Sequence, residues 1–264
     1  MLKSIRRLFE REEIARPEAA LPAGQRVYAV GDIHGRLDLF EVLIAAVEAD
    51  DAASGSADTT VILLGDLVDR GPDSAGVIAR AREWQRGRPV RILAGNHEEM
   101  FLQSFEKTET LRHFLRFGGK ETVLSYGVDR QTYQAASVEE VQELMQTAVP
   151  TEDRAFLESF EDMIALGDYL FVHAGISPEV PFEEQRTHDL RWIREPFLLD
   201  DTDHGFVVVH GHTISPEVEL MPNRIGIDTG AYRTGVLTAL AIEGSRTWFL
   251  QTHSADHEQF AASD

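Results

Sequence analysis

The chain has 264 residues, 43% of them hydrophobic, which suits one large α/β domain or two small ones with a sizeable core. Its 45 acidic and 25 basic residues give a formal charge of −20, a balance that repels polyphosphate backbones and excludes broad nucleic-acid binding. There is no cysteine, so disulfide staples, thiolate catalysis and thiolate metal sites are excluded together, and any metal must be held by oxygen and imidazole.

Taken in chain order, the first nine residues, Met1 to Phe9, have the pattern of a short basic amphipathic helix and read as a terminal helix docked on the surface. No apolar run approaches the roughly 20 residues that span a bilayer, and no signal-peptide core is visible. The sequence therefore predicts a cytoplasmic protein with no membrane partner. Pro17, Pro22 and Gly24 set residues 1–24 apart as a helical or flexible segment, leaving 25–253 as the catalytic domain and 254–264 as a flexible tail.

From Gln25 onward a short apolar run repeatedly stops at a small polar cluster. Val27–Val30 precedes Gly31-Asp32-Ile33-His34-Gly35-Arg36, and Val61–Leu64 precedes Gly65-Asp66-Leu67-Val68-Asp69-Arg70-Gly71. Val90–Leu93 leads to Gly95-Asn96-His97-Glu98, Tyr169–Val172 to His173-Ala174-Gly175, and Phe206–Val209 to His210-Gly211-His212-Thr213. Such runs read as strands buried on both faces. The helix-period stretch Leu37–Val47 between the first two predicts βαβ units with ligands at the carboxyl ends of strands. The region from about Glu98 to Ala165 reads as a helical insertion beside the site. Arg224–Asp228, Val236–Ile242 and Arg246–Leu250 read as antiparallel strands of a second sheet.

One Gly-Asp after a strand is usually a turn, and one buried histidine is usually a core residue. Five strand ends that each deliver Asp, Asn or His beside a glycine form a site. Here the sequence resembles the phosphoprotein phosphatase branch of the calcineurin-like metallophosphoesterases, in particular its small bacterial and phage serine/threonine phosphatases. The clusters at Asp32, Asp66 and Asn96 look like its three signature motifs, and those at His173 and His212 resemble its two later metal-ligand motifs. The resemblance covers roughly Gln25 to Thr247 and matches poorly over the insertion. It implies an α/β fold of two mixed sheets packed as a β-sandwich, flanked by helices, with the insertion near 100–165.

The resemblance and the chemistry of the residues imply two divalent metal ions, with Mn²⁺ the first choice among Mn, Fe, Zn, Co and Mg. Asp32 and His34 would reach one ion, Asp66 would bridge, and Asn96, His173 and His212 would complete the ligands of the second ion. A hydroxide between the ions would attack phosphorus in line. His97 would protonate the leaving oxygen, with Asp69 holding its imidazole in the right tautomer. Arg70 and Arg194, with Asn96, would bind the phosphoryl oxygens, and Arg194 is favoured over Arg191. Arg36 reads as a helix-surface charge. His210 falls on the same strand face as His212 by alternation, which leaves open a supporting role beside the metal. Asp228 reads as site support. His113, His188, His204, His253 and His257 read as surface or loop residues.

The substrate implied is a phosphomonoester, phosphoserine or phosphothreonine in a protein, with a dinucleoside polyphosphate such as diadenosine tetraphosphate as the alternative. A silent metal-binding module would have lost a ligand or the acid, and none is missing. Bases would need stacking planes; Phe101, Phe105, Phe114, Phe117 and Trp192 are candidates, but helical spacing assigns the four phenylalanines to the core. The oligomeric state has no signature in the sequence.

Overall fold

The computed structural model describes residues 19–252. Its strands are β1 (Gln25–Val30), β2 (Asp58–Leu63), β3 (Val90–Ile92), β4 (Met163–Leu166), β5 (Tyr169–Val172), β6 (Val207–His210), β7 (Glu219–Leu220), β8 (Arg224–Gly226), β9 (Thr238–Glu243) and β10 (Arg246–Gln251). They form two five-stranded sheets, ordered β10-β9-β1-β2-β3 and β4-β5-β6-β8-β7. β1, β2 and β3 are parallel, as are β5, β6 and β8, while β9, β10, β4 and β7 pair antiparallel, so both sheets are mixed.

Side-chain alternation along β1 and β2 explains how the layers stack. Tyr28, Val30, Val61 and Leu63 face α1 (Leu37–Ala53) and α2 (Ser74–Gly87), packing with Leu39, Phe40, Leu43 and Val77. The intervening Val27, Ala29, Ile62 and Leu64 point the other way, into the space between the sheets, where they meet Tyr169, Phe171 and Val209. Each fully buried Val, Leu, Ile or Phe contributes about 1.5–3 kcal/mol, so the sandwich interior is the main stabiliser of the strand order. Leu21 is buried in that interior, so packing begins four residues ahead of Gln25.

The insertion is built from α3 (Asn96–Ser104), α4 (Thr108–Phe114), a π-helical turn over Leu115–Gly119, α5 (Lys120–Ser125), α6 (Arg130–Ala135), α7 (Val138–Ala148) and α8 (Thr151–Glu158). It has its own core of Phe101, Phe105, Leu111, Phe114, Val123, Met145 and Leu157. Phe101 sits between Phe105 and Phe114, with ring centroids 5.3 and 5.4 Å away. Phe117 departs from the core assignment: it is 46% exposed, because the π turn swings it off the helical face that its spacing implied. Short helices α9 (Thr187–Trp192), α10 (Glu195–Leu198) and α11 (Ala231–Thr234) follow β5, precede β6 and join β8 to β9.

The last strands correct the sequence reading. β9 and β10 join the first sheet, where β9 lies between β10 and β1, and β8 pairs parallel with β6 in the second. An apolar hairpin fits either sheet by pattern. β9 is buried along nearly its whole length, which fits the interior position beside β1. The predicted helix over residues 1–9 and the tail over 254–264 lie outside the described residues.

Candidate metal centre and active site

The turn after β1 carries Asp32 and His34, the turn after β2 carries Asp66, Asp69 and Arg70, and Asn96 and His97 open α3 just past β3. The second sheet contributes His173 after β5, His212 two residues past β6, and Asp228 two residues past β8. Backbone hydrogen bonds knit these turns together. His34 N–H donates to Asp66 O at 2.8 Å, Gly71 N–H to His34 O at 3.0 Å, and Gly211 N–H to His173 O at 2.8 Å. Two glycines allow the close approach: a Cβ at Gly95 would strike the Asp66 carboxylate, and one at Gly211 would strike that of Asp32.

Among the described residues, the non-glycine positions with positive φ are His34 (47°), Asp66 (49°), Asp69 (74°), Arg70 (71°) and His212 (62°). All five are candidate site residues. Such backbone costs about 1–3 kcal/mol per residue and persists only where surrounding contacts enforce it. Glu98 is one enforcer. Fully buried, its carboxylate accepts the N–H groups of Asp66 at 2.9 Å, Leu67 at 2.8 Å, Val68 at 3.3 Å and Gly95 at 2.9 Å. Burial and the Asp66 charge push its carboxyl up to about 7, against the pull of the Gly95 and Asp66 N–H groups.

Ligating atoms of His34, Asp66 and His97 lie within 4.8 Å of one another, and so do those of Asp66, His173 and His212. Asp66 belongs to both groups. Its Oδ2 is 3.6 Å from His34 Nε2, and its Oδ1 is 3.4 Å from His173 Nε2. His34 Nδ1–H donates to Val68 O and His173 Nδ1–H to Leu64 O, each at 2.8 Å, so both Nε2 lone pairs face the carboxylate. Asn96 Oδ1 faces the same His173 nitrogen at 3.1 Å. Acceptors turned on one another, with the opposite ring nitrogens fixed by backbone carbonyls, are the donor set a divalent cation fits.

The electrostatics agree with that reading. Burial holds His34 well below the ordinary imidazole value and lowers His173, while burial and the neighbouring His173 bring His212 down to about 3, so all three present neutral rings of the kind a cation could use. Burial opposes ionisation of Asp66, but the surrounding rings of His173, His97 and His34 outweigh it and keep its carboxyl far below the usual range. Asp32 lies outside both 4.8 Å groups. Its two oxygens accept the His212 N–H at 3.0 and 3.2 Å, and burial with the Asp228 and Asp66 charges raises its carboxyl well above normal. Asp228 sits against it with Oδ2 buried and unpartnered, pushed up to about 6 chiefly by burial. Imidazole, carboxylate and amide oxygen without sulfur suit Mn, Fe, Zn, Co or Mg.

Beside this cluster His97 Nδ1–H donates to Asp69 Oδ2 at 2.6 Å. Burial pulls the imidazole down, but Asp66 and Asp69 raise it above its ordinary value. Arg70 donates from Nη1 to His34 Nε2 and from Nη2 to His97 Nε2, both at 2.9 Å, with its guanidinium 4.7 Å over the Tyr232 ring. Arg194 Nε–H donates to His212 Nε2 at 3.0 Å. The other two arginines are turned elsewhere. Arg191 is bound to Asp162 and Glu99, and Arg36 to Asp38 and Ala231 O.

His210 does not reach the cluster: β6 ends there, and the left-handed backbone at His212 breaks the alternation that would have kept the two side by side. Its ring lies edge-on to Phe197 at 5.2 Å. His113 tilts against Phe117, His188 stacks on Trp192, and His204 departs from a surface reading, its side chain packing beside Phe197. His253 and His257 lie outside the described residues. Sequence reading missed Ser74, five residues past Asp69, and Thr122 and Tyr232, which touch Asp69 and Arg70 from distant segments.

The calcineurin-like phosphoesterase model matches residues 25–236. Serine/threonine-protein phosphatase 1 of Salmonella typhimurium is 27% identical over 228 residues, covering 83% of this chain and 93% of the relative. The asymmetrical bis(5'-nucleosyl)-tetraphosphatase PrpE of Bacillus velezensis is 25% identical over 260 residues, covering 86% and 96%. The solved cold-active protein-tyrosine phosphatase of a psychrophilic Shewanella species shares the fold at a TM-score of 0.55 and 20% identity, over 90% of this chain and 83% of that one. With the match running from the first strand through the segment after Asp228, the chain belongs to the calcineurin-like phosphoesterase family.

Proposed function

We propose that this protein is a dinuclear-metal phosphomonoesterase acting on phosphoserine or phosphothreonine in proteins. The carrying observation is the pair of His/Asp groups sharing Asp66, with two arginine side chains turned to their histidines. His34, Asp66 and Asp32 would hold one cation, and Asp66, Asn96, His173 and His212 the other, with Mn²⁺ as the first choice. Such cations supply charge neutralisation at the phosphoryl oxygens and a water of lowered pKa.

The chain's own groups do the rest. A phosphoryl oxygen competes for the Arg70 N–H groups now donated to His34 and His97, and for the Arg194 N–H donated to His212. Drawing Arg70 off the His97 ring frees Nε2 to carry a proton and deliver it to the leaving oxygen, while Asp69 holds Nδ1–H. A cytoplasmic location is part of this reading; among the described residues no helix is long and apolar enough to cross a membrane.

The number of available cations supports a monoester over a dinucleoside polyphosphate. Arg36 and Arg191 are engaged by carboxylates, leaving Arg70 and Arg194 to meet the phosphate. Phe101, Phe105 and Phe114 are buried and offer no face to a base. The second reading, a dinucleoside polyphosphate hydrolase, draws on the Bacillus relative's name and on the partly exposed rings of Tyr232 and Trp192. The test compares kcat/KM of the Mn²⁺ form on a phosphothreonine peptide and on diadenosine tetraphosphate at two ionic strengths. The peptide is expected to be the better substrate, with weak salt dependence. A tenfold preference for the dinucleotide, about 1.4 kcal/mol in the transition state, would make the second reading the function.

A further inference from the structure

A buried hydroxyl of the helical insertion reaches the His97–Asp69 pair. Thr122 on α5 is fully buried, and its Oγ1 lies 2.5 Å from Asp69 Oδ1, the carboxylate oxygen that His97 does not use. The same Oγ1 accepts the Asp69 N–H at 2.9 Å and lies 2.9 Å from Ser74 Oγ, which is also fully buried. A hydroxyl has one proton to give. If Thr122 gives it to the carboxylate, Ser74 must be the donor in the Ser74–Thr122 contact, and the chain of donors runs one way: Ser74 to Thr122 to Asp69. The Asp69 backbone, at φ 74°, is held by both hydroxyls, since its N–H also points to Ser74 Oγ at 2.9 Å.

We propose that Thr122 is a positioning residue that fixes the Asp69 carboxylate, and through it the tautomer and orientation of His97. Both Asp69 oxygens are then committed, one to His97 and one to Thr122. The carboxylate cannot rotate about its Cβ–Cγ bond without breaking a buried hydrogen bond. The π turn just ahead of Thr122 serves the same end, since Gly118 O accepts the Arg70 N–H at 3.1 Å. The insertion thereby supports the acid and the phosphate arm from its two sides. This assignment rests on the phosphatase reading for its kinetic consequence, but its structural consequence stands apart from activity.

The experiment compares Thr122→Val, which keeps shape and removes the donor, with Thr122→Ser, which keeps the donor. The short His97–Asp69 hydrogen bond gives a downfield imidazole proton resonance in the intact protein. That resonance should shift or broaden in T122V and stay in place in T122S. With Mn²⁺, T122V should lose about 10- to 100-fold in kcat on an alkyl phosphate and less than about threefold on p-nitrophenyl phosphate, whose leaving group needs little protonation. KM and bound metal should be unchanged, and T122S should restore the alkyl phosphate rate. A T122V protein with the wild-type resonance and an equal loss on both leaving groups overturns the positioning role. If the wild type hydrolyses neither ester while the resonance still depends on Thr122, the phosphatase reading fails and the positioning role stands. Should T122V fold poorly, Thr122→Ala takes its place: a moved resonance in T122A with retention in T122S supports the positioning role, and an unmoved resonance in T122A overturns it.

Discussion

Replacing Gly118 by alanine tests whether the insertion places Arg70. Gly118 has φ +108°, and an added Cβ would lie 2.7 Å from both the backbone nitrogen and Cγ of Arg70, where ordinary contact begins at 3.4 Å. The shortfall is about 0.7 Å, and the neighbour is backbone, which yields little. If Arg70 retreats by that amount, its 2.9 Å hydrogen bonds to His34 and His97 lengthen to about 3.6 Å, beyond useful range. Hydrogen bonds to a charged group are worth about 1.5–3 kcal/mol, so kcat/KM should fall roughly 10- to 150-fold if one such contact to phosphate is lost. Gly127 provides the control. It also has positive φ, +81°, but nothing lies within 4 Å of its added Cβ, so G127A incurs only the backbone cost of about 1 kcal/mol. Both variants are measured for kcat/KM on p-nitrophenyl phosphate, for inhibition by inorganic phosphate, and for urea unfolding. G118A should lose phosphate inhibition and stability beyond G127A. Equal kcat/KM in the two variants, within about threefold, would refute the reasoning.

Three further outcomes are expected. Asp66→Asn should lose at least ~10³-fold in activity with the fold retained, because one carboxylate serves both His/Asp groups; chelator should abolish wild-type activity and Mn²⁺ restore it, whereas a metal-free protein with full activity sinks the metal reading. His97→Asn should still bind metal, yet lose about 10²- to 10⁴-fold on alkyl phosphates and far less on p-nitrophenyl phosphate; an equal loss on both would show that His97 is not the acid. For pH, burial alone would raise the Asp51 carboxyl, but hydrogen bonds from Arg26 at 2.7 Å, Thr59 at 2.8 Å and Arg88 at 3.0 Å hold it below its ordinary 3.8. A lowered folded value contributes stability that is present above 3.8 and lost as pH falls through it, so the urea-midpoint gap between wild type and Asp51→Asn should be open at pH 7 and close in acid; a gap independent of pH would contradict this.

What the sequence carried was whatever is local. β1, β2, β3, β5 and β6 announce themselves as apolar runs because they are buried on both faces, and their polar ends follow within six residues or so. β7 has two residues, Glu219 and Leu220, too few for any period to register. The sheet to which β9 belongs is decided by its packing against Tyr28 and Val27, which no pattern within Thr238–Glu243 encodes. The site divides along the same line. Asp32, His34, Asp66, Asn96, His97, His173 and His212 sit in glycine-flanked strand ends. Thr122 lies 53 residues from Asp69 on an amphipathic helix, where a threonine reads as an ordinary surface position. Asp228, read only as support, proved to lie against Asp32, and its buried Oδ2 makes it part of the carboxylate cluster. The shared face expected for His210 and His212 was lost for the opposite reason: the alternation rule is sound within a strand, and the strand ends at His210.

The charge inside the site argues for the size of its substrate. Asp32, Asp66, Asp69, Glu98 and Asp228 are buried carboxyls around the cluster, five in all, against the two guanidiniums of Arg70 and Arg194. Fully ionised, that set carries −3; burial first, and then the neighbouring carboxylate charges, raise Asp32 well above normal and push Asp228 up to about 6. Two divalent cations held there would bring the same set from −3 to +1 and would favour the ionised carboxylates. A phosphomonoester of about −2 then leaves the occupied site near −1. A dinucleoside tetraphosphate of about −4 would leave it near −3, with Arg36 and Arg191 already bound to Asp38 and Asp162 and unable to help without breaking buried or half-buried ion pairs. On the proposed reading, the charge balance that would favour metal uptake also supports a single phosphoryl group as substrate, and the long-range field of a chain at −20 adds to that argument.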